Sequence, residues 1–153
     1  LFRSAPSAAR LGDREFRRFE GWLDLVVSWA DHDALATALL GPMIVAEPRR
    51  AARPLRWASS PRRWHRRAAA VSLIPGIRKG LFMDEARAVS DRLAADGDDM
   101  VQKGLGWLLR EWAKHHPADA VPVLLSLRGR TSRLVLRTGC EKLGEADRRQ
   151  ILG

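Results

Sequence analysis

Hydrophobic residues recur at helical spacing along most of the chain, and no segment alternates in the way of a half-buried strand. Residues 13–29, for example, carry Phe16, Phe19 and Leu23 three or four positions apart. Apolar segments with similar spacing follow at residues 31–46, 49–59, 61–74, 84–95, 98–116, 118–127, 131–143 and 145–152. The pattern predicts an all-α protein of about nine short helices joined by tight loops.

Residues that favour helix ends define several of these boundaries. Asp84 and Asp98 precede apolar segments and are predicted to cap the helices that follow, as is Ser60. Residues 75–76 are Pro-Gly and predict a helix stop, whereas Pro54 is expected to weaken the short helix around it. Short helices in succession favour an α-solenoid of degenerate repeats, and a compact α-helical bundle is the alternative.

Length and composition indicate one soluble domain. The chain has 153 residues, of which 46% are hydrophobic, and we expect a flexible segment at residues 1–12 and one domain at 13–153. No apolar run is long enough to cross a membrane, and the first residues do not resemble a signal peptide. The single cysteine, Cys140, excludes a disulfide framework. We therefore expect an intracellular protein, with no cofactor because no metal-ligand cluster is visible.

The positive charge is concentrated in one segment. The formal net charge is +9, and ten basic residues but no acidic residue lie between Glu47 and Asp84. The other 17 of the 27 basic residues are balanced by the 18 acidic residues elsewhere. A basic segment of this kind, which also contains Trp57 and Trp64, predicts a polyanion partner. A general preference for arginine is the alternative, but it does not explain the missing acids.

The helix at residues 98–116 has a tryptophan away from its apolar face. That face is a stripe formed by Val101, Leu105, Leu108 and Trp112. At about 100° per residue, Trp107 lies about 130° from the centre of the stripe, close to Lys103 and Arg110. A tryptophan among cations indicates either a binding surface or a position covered by a second layer of helices.

The helix at residues 61–74 has an arginine on its apolar face. Arg67 lies about 60° from Trp64, inside the stripe that continues through Ala68 and Val71. Such an arginine either forms a structural ion pair with a neighbouring carboxylate or is held by its packing and directed at a phosphate.

Trp29 and Asp33 are four residues apart at the edge of an apolar segment. If one helix includes both, they share a face. The alternative is that Asp31 or Asp33 only caps the helix, with Trp29 packed just before it.

Three short segments of the chain match a known sequence pattern. They read WADHDAL at residues 29–35, WHRRAAAVSLI at 64–74 and VQKGLGWLLREWAKHHP at 101–117. The third is the most specific, because QKGLGWLLRE closely matches the pattern QKAIGW.LRE. Together, over residues 14–145, they resemble the AlkD-like DNA alkylation repair family, the HEAT-like-repeat DNA glycosylases. The resemblance implies a solenoid of HEAT-like repeats, with the first repeats of the family missing and residues 1–12 unmatched.

The resemblance also implies roles for particular residues. Trp29 and Asp33 match a pair that lies beside the deoxyribose of the damaged nucleotide, and they are the candidate catalytic residues. Arg67 matches an arginine that contacts DNA. Trp107 matches a tryptophan that lines the cleft in which the pair lies. Further candidate DNA-binding residues are Arg63, Arg66, Lys103 and Arg110. The implied partner is double-stranded DNA with alkylated bases, bound by a monomer in the cytoplasm of a prokaryote, at the nucleoid.

The chemistry of such a site is consistent with these residue types. A purine alkylated at N3 or N7 is cationic and leaves through a transition state with oxocarbenium character on the sugar. Asp33 would stabilise that cation and position the attacking water, and Trp29 and Trp107 would add cation–π attraction. We therefore expect a glycosylase that excises alkylated purines. One alternative is a non-catalytic nucleic-acid-binding scaffold, which the presence of Asp33 disfavours. The other is a protein-interaction solenoid, which is disfavoured because four site residues occur together: Trp29, Asp33, Arg67 and Trp107.

Overall fold

The computed structural model describes residues 8–153, which form helices and no strand. This confirms the all-α prediction. The α-helices are α1 (Asp13–Trp22), α2 (Trp29–Leu35), α3 (Gly41–Ala46), α4 (Arg53–Trp57), α5 (Arg63–Val71), α6 (Ile74–Arg78), α7 (Met83–Leu93), α8 (Asp99–His115), α9 (Pro117–Ser126), α10 (Arg133–Gly139) and α11 (Glu145–Leu152). A π-helical turn (Ala36–Leu40) joins α2 to α3, and a 3-10 turn (Pro48–Ala52) precedes α4.

The segment before α1 is only partly described. The flexible segment predicted at residues 1–12 lies outside the described residues from 1 to 7. Ala8 is buried and Leu11 packs against the core, so contacts with the domain begin before Asp13.

Helices pack against helices that lie roughly 30–40 residues further along the chain. We call a stretch of this length a unit. α2 packs on α5, α5 on α8, and α8 on α10. Most side-chain hydrogen bonds between distant parts of the chain follow the same rule and join residues 30 to 41 positions apart, as in Arg66–Asp96 and His65–Asp24. Stacking of each unit on its neighbours in sequence is the arrangement of an α-solenoid with degenerate repeats.

The long helix α8 is the centre of this stack. The predicted stripe of Val101, Leu105, Leu108 and Trp112 is fully buried. Gly106 allows α10 to approach, because a Cβ at this position would lie 3.0 Å from Cβ of Thr138. None of the helices in the part of the chain that the structure describes is long and apolar enough to cross a membrane.

Several helix ends differ from the prediction for local reasons. α1 ends at Trp22, and Ser28 starts a new helix, so residues 13–29 are not one helix. Pro54 lies where the 3-10 turn at Pro48–Ala52 passes into α4, so the helix predicted at residues 49–59 is divided next to this proline. Pro75 lies in the first turn of α6, so it begins a helix rather than ending one.

The predicted caps are correct at one position of three. The carboxylate of Asp98 accepts hydrogen bonds from the backbone N–H groups of Met100 and Val101, as predicted. Asp84 is not a cap but a first-turn residue of α7, where its charge still favours the helix dipole. Ser60 is not a cap either, because α5 begins after Arg62.

Candidate functional site

Trp29 and Asp33 lie on one face of α2. Ser28 is the N-cap of this helix, and its Oγ accepts a hydrogen bond from the backbone N–H of Asp31 at 3.3 Å. Asp31 and Asp33 are therefore both inside the helix, and the alternative in which one of them caps it is wrong. Trp29 is 60% exposed, so it is not a packing residue.

Asp33 is bound by the guanidinium of Arg67 in α5. Nε of Arg67 donates to Oδ1 at 3.1 Å, and Nη2 donates to Oδ2 at 3.0 Å, a two-bond geometry that fixes both side chains. Arg67 is buried, as its place on the apolar face predicted. Of the two interpretations of this arginine, the structure contains the ion pair with a carboxylate.

His32 lies beneath Asp33 and is fully buried. Its Nδ1 is 2.8 Å from Oδ1 of Asp33, and its Nε2 is 3.0 Å from the carbonyl oxygen of Trp64 in α5. The imidazole ring also packs against the indole ring of Trp64, with the two centroids 5.5 Å apart. His32 therefore ties α2 to α5 and contacts the carboxylate at the same time.

These contacts decide the charge state of Asp33. Its partial burial would raise the pKa of the carboxyl, but hydrogen bonds from His32 and Arg67, together with their charges, outweigh burial and lower the pKa below its ordinary value. Oδ1 accepts two hydrogen bonds and Oδ2 accepts one. A carboxylate has about four lone-pair positions, so an ionised Oδ2 keeps acceptor capacity, and 18% of the side chain is exposed.

Arg67 connects this carboxylate to α8. Its Nη1 donates to the carbonyl oxygen of Met100 at 2.7 Å. Its side chain passes so close to α8 that a Cβ on Gly104 would lie 3.0 Å from Cγ of Arg67. Trp107 follows about one helical turn later and is half-buried against the core, so it is intermediate between the two predicted alternatives.

Each cation predicted to bind DNA has a carboxylate partner in the structure. Besides the Arg67–Asp33 pair, the ion pairs are Arg63–Asp98, Arg66–Asp96, Lys103–Asp99 and Arg110–Glu141. All four have an N–O distance of 3.2 Å or less. A phosphate that binds one of these cations would either share the cation with its carboxylate or displace the carboxylate.

The basic segment as a whole is matched by acids from neighbouring units. Eight of its ten basic residues pair with carboxylates on α1, on α2, on α8 or next to these helices. Arg53, for example, binds Glu20 of α1 at 2.7 Å. The carboxylates that pair with the basic segment therefore come from other units of the solenoid. Neither the polyanion interpretation nor the arginine preference anticipated this arrangement.

Sequence reasoning assigned no role to His32, although the sequence contains a signal for it. His32, Leu35, Ala36 and Leu39 recur at helical spacing, and all four are buried. A histidine on the buried face of a helix, directly before a candidate catalytic carboxylate, needs partners for both ring nitrogens. No local pattern shows that Trp64 supplies one of them. Within residues 8–153, no group of three or more His, Cys, Asp or Glu side chains is arranged to hold a metal ion.

Comparison with known proteins places the chain in a family. A family model described as DNA alkylation repair enzyme matches residues 4–143. The match begins upstream of the 14–145 range expected from the motifs, so residues 1–12 are not unmatched throughout. Comparison with curated proteins gave no match. The family model covers most of the chain and agrees with the resemblance carried by the three motifs, and the chain therefore belongs to the family of DNA alkylation repair enzymes.

Proposed function

We propose that the protein is a DNA glycosylase that hydrolyses the N-glycosidic bond of cationic purines alkylated at N3 or N7 in duplex DNA. The observation that carries this proposal is the state of Asp33. Its carboxylate is held by Arg67 and His32, has a lowered pKa, keeps acceptor capacity on Oδ2 and lies on the same helix face as the exposed Trp29.

The lowered pKa of Asp33 suits an electrostatic role and not that of an acid. An alkylated purine already carries positive charge, so its departure needs no proton. When the glycosidic bond breaks, its electron pair moves onto the base and neutralises it, and the sugar becomes an oxocarbenium-like cation. An ionised Asp33 stabilises this cation, and its free acceptor position on Oδ2 can orient the water that attacks C1′. The proton of that water leaves to solvent, because a carboxylate of low pKa is a weak base.

The indole rings would add a second source of stabilisation. The exposed face of Trp29, four residues before Asp33, attracts a cation held beside it, by about 0.5–2 kcal/mol. Trp107 on α8 would contribute from the other side of the cleft. Arg63, Arg66, Arg67, Lys103 and Arg110 are the proposed phosphate contacts. The protein would act as a monomer on DNA in the cytoplasm, at the nucleoid.

The test is release of 7-methylguanine and 3-methyladenine from methylated duplex DNA in single turnover. The wild type is compared with Asp33→Asn, and Asp31→Asn is the matched control because Asp31 is an exposed carboxylate of the same helix. We expect Asp33→Asn to lower the rate by about 100-fold or more with little change in Kd, and Asp31→Asn to leave both unchanged.

Two results would contradict the proposal in different ways. Equal release by Asp33→Asn and wild type would remove Asp33 from the chemistry. Salt-sensitive duplex binding without any base release by the wild type would favour a non-catalytic nucleic-acid-binding scaffold.

A further inference from the structure

We infer that His32 is a positioning residue of this site, which holds the carboxylate of Asp33 from inside the core; the inference rests on the proposed glycosylase function. His32 does not reach the surface, so it cannot touch DNA. Its contact with Oδ1 of Asp33, at 2.8 Å, is as close as the contacts that Arg67 makes with the same carboxylate.

Both ring nitrogens of His32 have an oxygen partner. Nε2 lies 3.0 Å from the carbonyl oxygen of Trp64, which fixes the ring on the side of α5. The carboxylate of Asp33 can only accept a hydrogen bond, so Nδ1 is the donor in the contact with Oδ1. Oδ1 therefore accepts from His32 as well as from Arg67.

The contact imposes an orientation on Asp33. Adjacent residues of a helix point about 100° apart, so neighbouring side chains do not normally face each other. Asp33 turns toward His32, and His32 is fixed at its other end by α5, through the carbonyl group and the indole ring of Trp64. The carboxylate therefore has one anchor in its own helix that the protein core holds rigidly.

The two anchors share Oδ1 of Asp33, and only Arg67 also binds Oδ2. If a phosphate draws Arg67 away from Oδ2, His32 still fixes Oδ1, and Oδ2 becomes free to face the sugar and the water. His32 thereby keeps the geometry of the site when Arg67 changes partner.

Two substitutions separate positioning from a structural link. In His32→Asn the amide nitrogen lies near the place of Nδ1 and can still donate to Asp33, but the bond to Trp64 is lost. In His32→Gln the longer side chain can reach the carbonyl of Trp64, but the donor to Asp33 is lost. Single-turnover rate, Kd for methylated duplex and Tm are measured for both.

We expect His32→Gln to lower the rate by roughly 10- to 100-fold, as a misplaced reacting group does, with Kd unchanged. His32→Asn should stay within about threefold of the wild type at saturating DNA. Both variants should lose Tm to a similar degree. Equal rates for the two variants, in step with their Tm, would mean that His32 is only a link between helices and would overturn the inference.

Measurements without catalysis keep the inference separate from the proposed function. Nitrogen NMR of the wild type should show a hydrogen on Nδ1 of His32, and an Nδ1 without a hydrogen would overturn the inference. Carbon NMR should show a higher pKa for Asp33 in His32→Gln than in His32→Asn, and equal values would likewise contradict it. Failure of the wild type to release any base, with both NMR results as expected, would overturn the proposed function while leaving the contact established.

Discussion

Arg67 binds the side chain of Asp33 and the backbone of Met100 with one guanidinium group, at 3.0 Å from Oδ2 of Asp33 and 2.7 Å from the carbonyl oxygen of Met100. Asp33 belongs to α2, Arg67 to α5, and Met100 to α8. One buried side chain therefore joins three successive units of the solenoid at the candidate site. Because one side chain serves both the fold and the site, each variant needs two measurements: the free energy of unfolding and the excision rate.

The Arg67–Asp33 pair should show a large coupling energy. Arg67→Met removes one partner and leaves a largely buried carboxylate with His32 alone, which we expect to lower the free energy of unfolding by roughly 3–5 kcal/mol. The double variant Arg67→Met/Asp33→Asn should recover part of this loss, because it no longer buries the charge. Urea denaturation of the wild type, the two single variants Arg67→Met and Asp33→Asn, and the double variant gives the coupling energy directly. Additive losses would mean that the pair is not coupled.

Trp29 should matter for excision and not for folding. Because its side chain is 60% exposed, Trp29→Ala should change the free energy of unfolding by less than about 0.5 kcal/mol. The excision rate should fall by roughly 2- to 30-fold, which corresponds to the loss of one cation–π contact. Trp29→Phe should retain part of the rate.

Leu25→Ala is the control for Trp29, since Leu25 is 73% exposed on the loop before α2 and has no proposed role. Rate and Tm are measured for all three variants. An equal rate loss in Leu25→Ala would assign the effect to the loop surface as a whole.

Lys103 and its partner should have opposite effects on DNA affinity. Lys103 pairs with Asp99 at 3.1 Å on the exposed surface of α8. If Lys103 contacts a phosphate, Lys103→Ala should weaken binding and reduce the slope of log K against log salt concentration by about 1. Asp99→Asn should strengthen binding, because it removes a carboxylate that competes with the phosphate.

Arg149→Ala provides the matched comparison for Lys103. Arg149 forms a pair of the same spacing with Glu145 on α11 and has no proposed DNA contact. Fluorescence anisotropy over a salt series gives both slopes. If Arg149→Ala reduced the slope of log K against log salt concentration as much as Lys103→Ala, the effect would come from net charge alone and not from a contact of Lys103.

Asp98 should make stability depend on acid pH. Its burial would raise the pKa of the carboxyl, but hydrogen bonds from Arg63 and from the backbone of Val101 and Met100 lower it overall. With a native pKa below the unfolded one, the ionised cap stabilises the fold at neutral pH. This contribution is lost as the pH falls from the ordinary carboxyl range through the lowered native pKa.

Asp98→Ala should therefore lower the free energy of unfolding by about 1 kcal/mol at pH 7, and by less at low pH. Asp98→Asn should retain most of the cap and lose the ion pair with Arg63. Thermal unfolding between neutral and acid pH checks both, and a difference from wild type that does not shrink in acid would contradict the assignment.

The sequence was sufficient wherever the determining interactions are local. The stripe of Val101, Leu105, Leu108 and Trp112 follows from helix periodicity alone, and all four are buried. The cap at Asp98 and the shared face of Trp29 and Asp33 depend on residues two to four positions apart. The prediction for Pro75 was wrong because the effect of a proline depends on where the helix begins, which the periodicity does not specify.

The tertiary structure decided everything that depends on neighbouring units. The sequence left Arg67 between an ion pair and a phosphate, showed ten basic residues without acids, and gave His32 no partner. The structure pairs Arg67 with Asp33 across 34 positions and His32 with Trp64 across 32. Contacts over such distances depend on how one unit stacks on the next, so no local pattern specifies which carboxylate meets which cation. The residue types of the site were therefore readable from the chain, and their charges and partners were set by the fold.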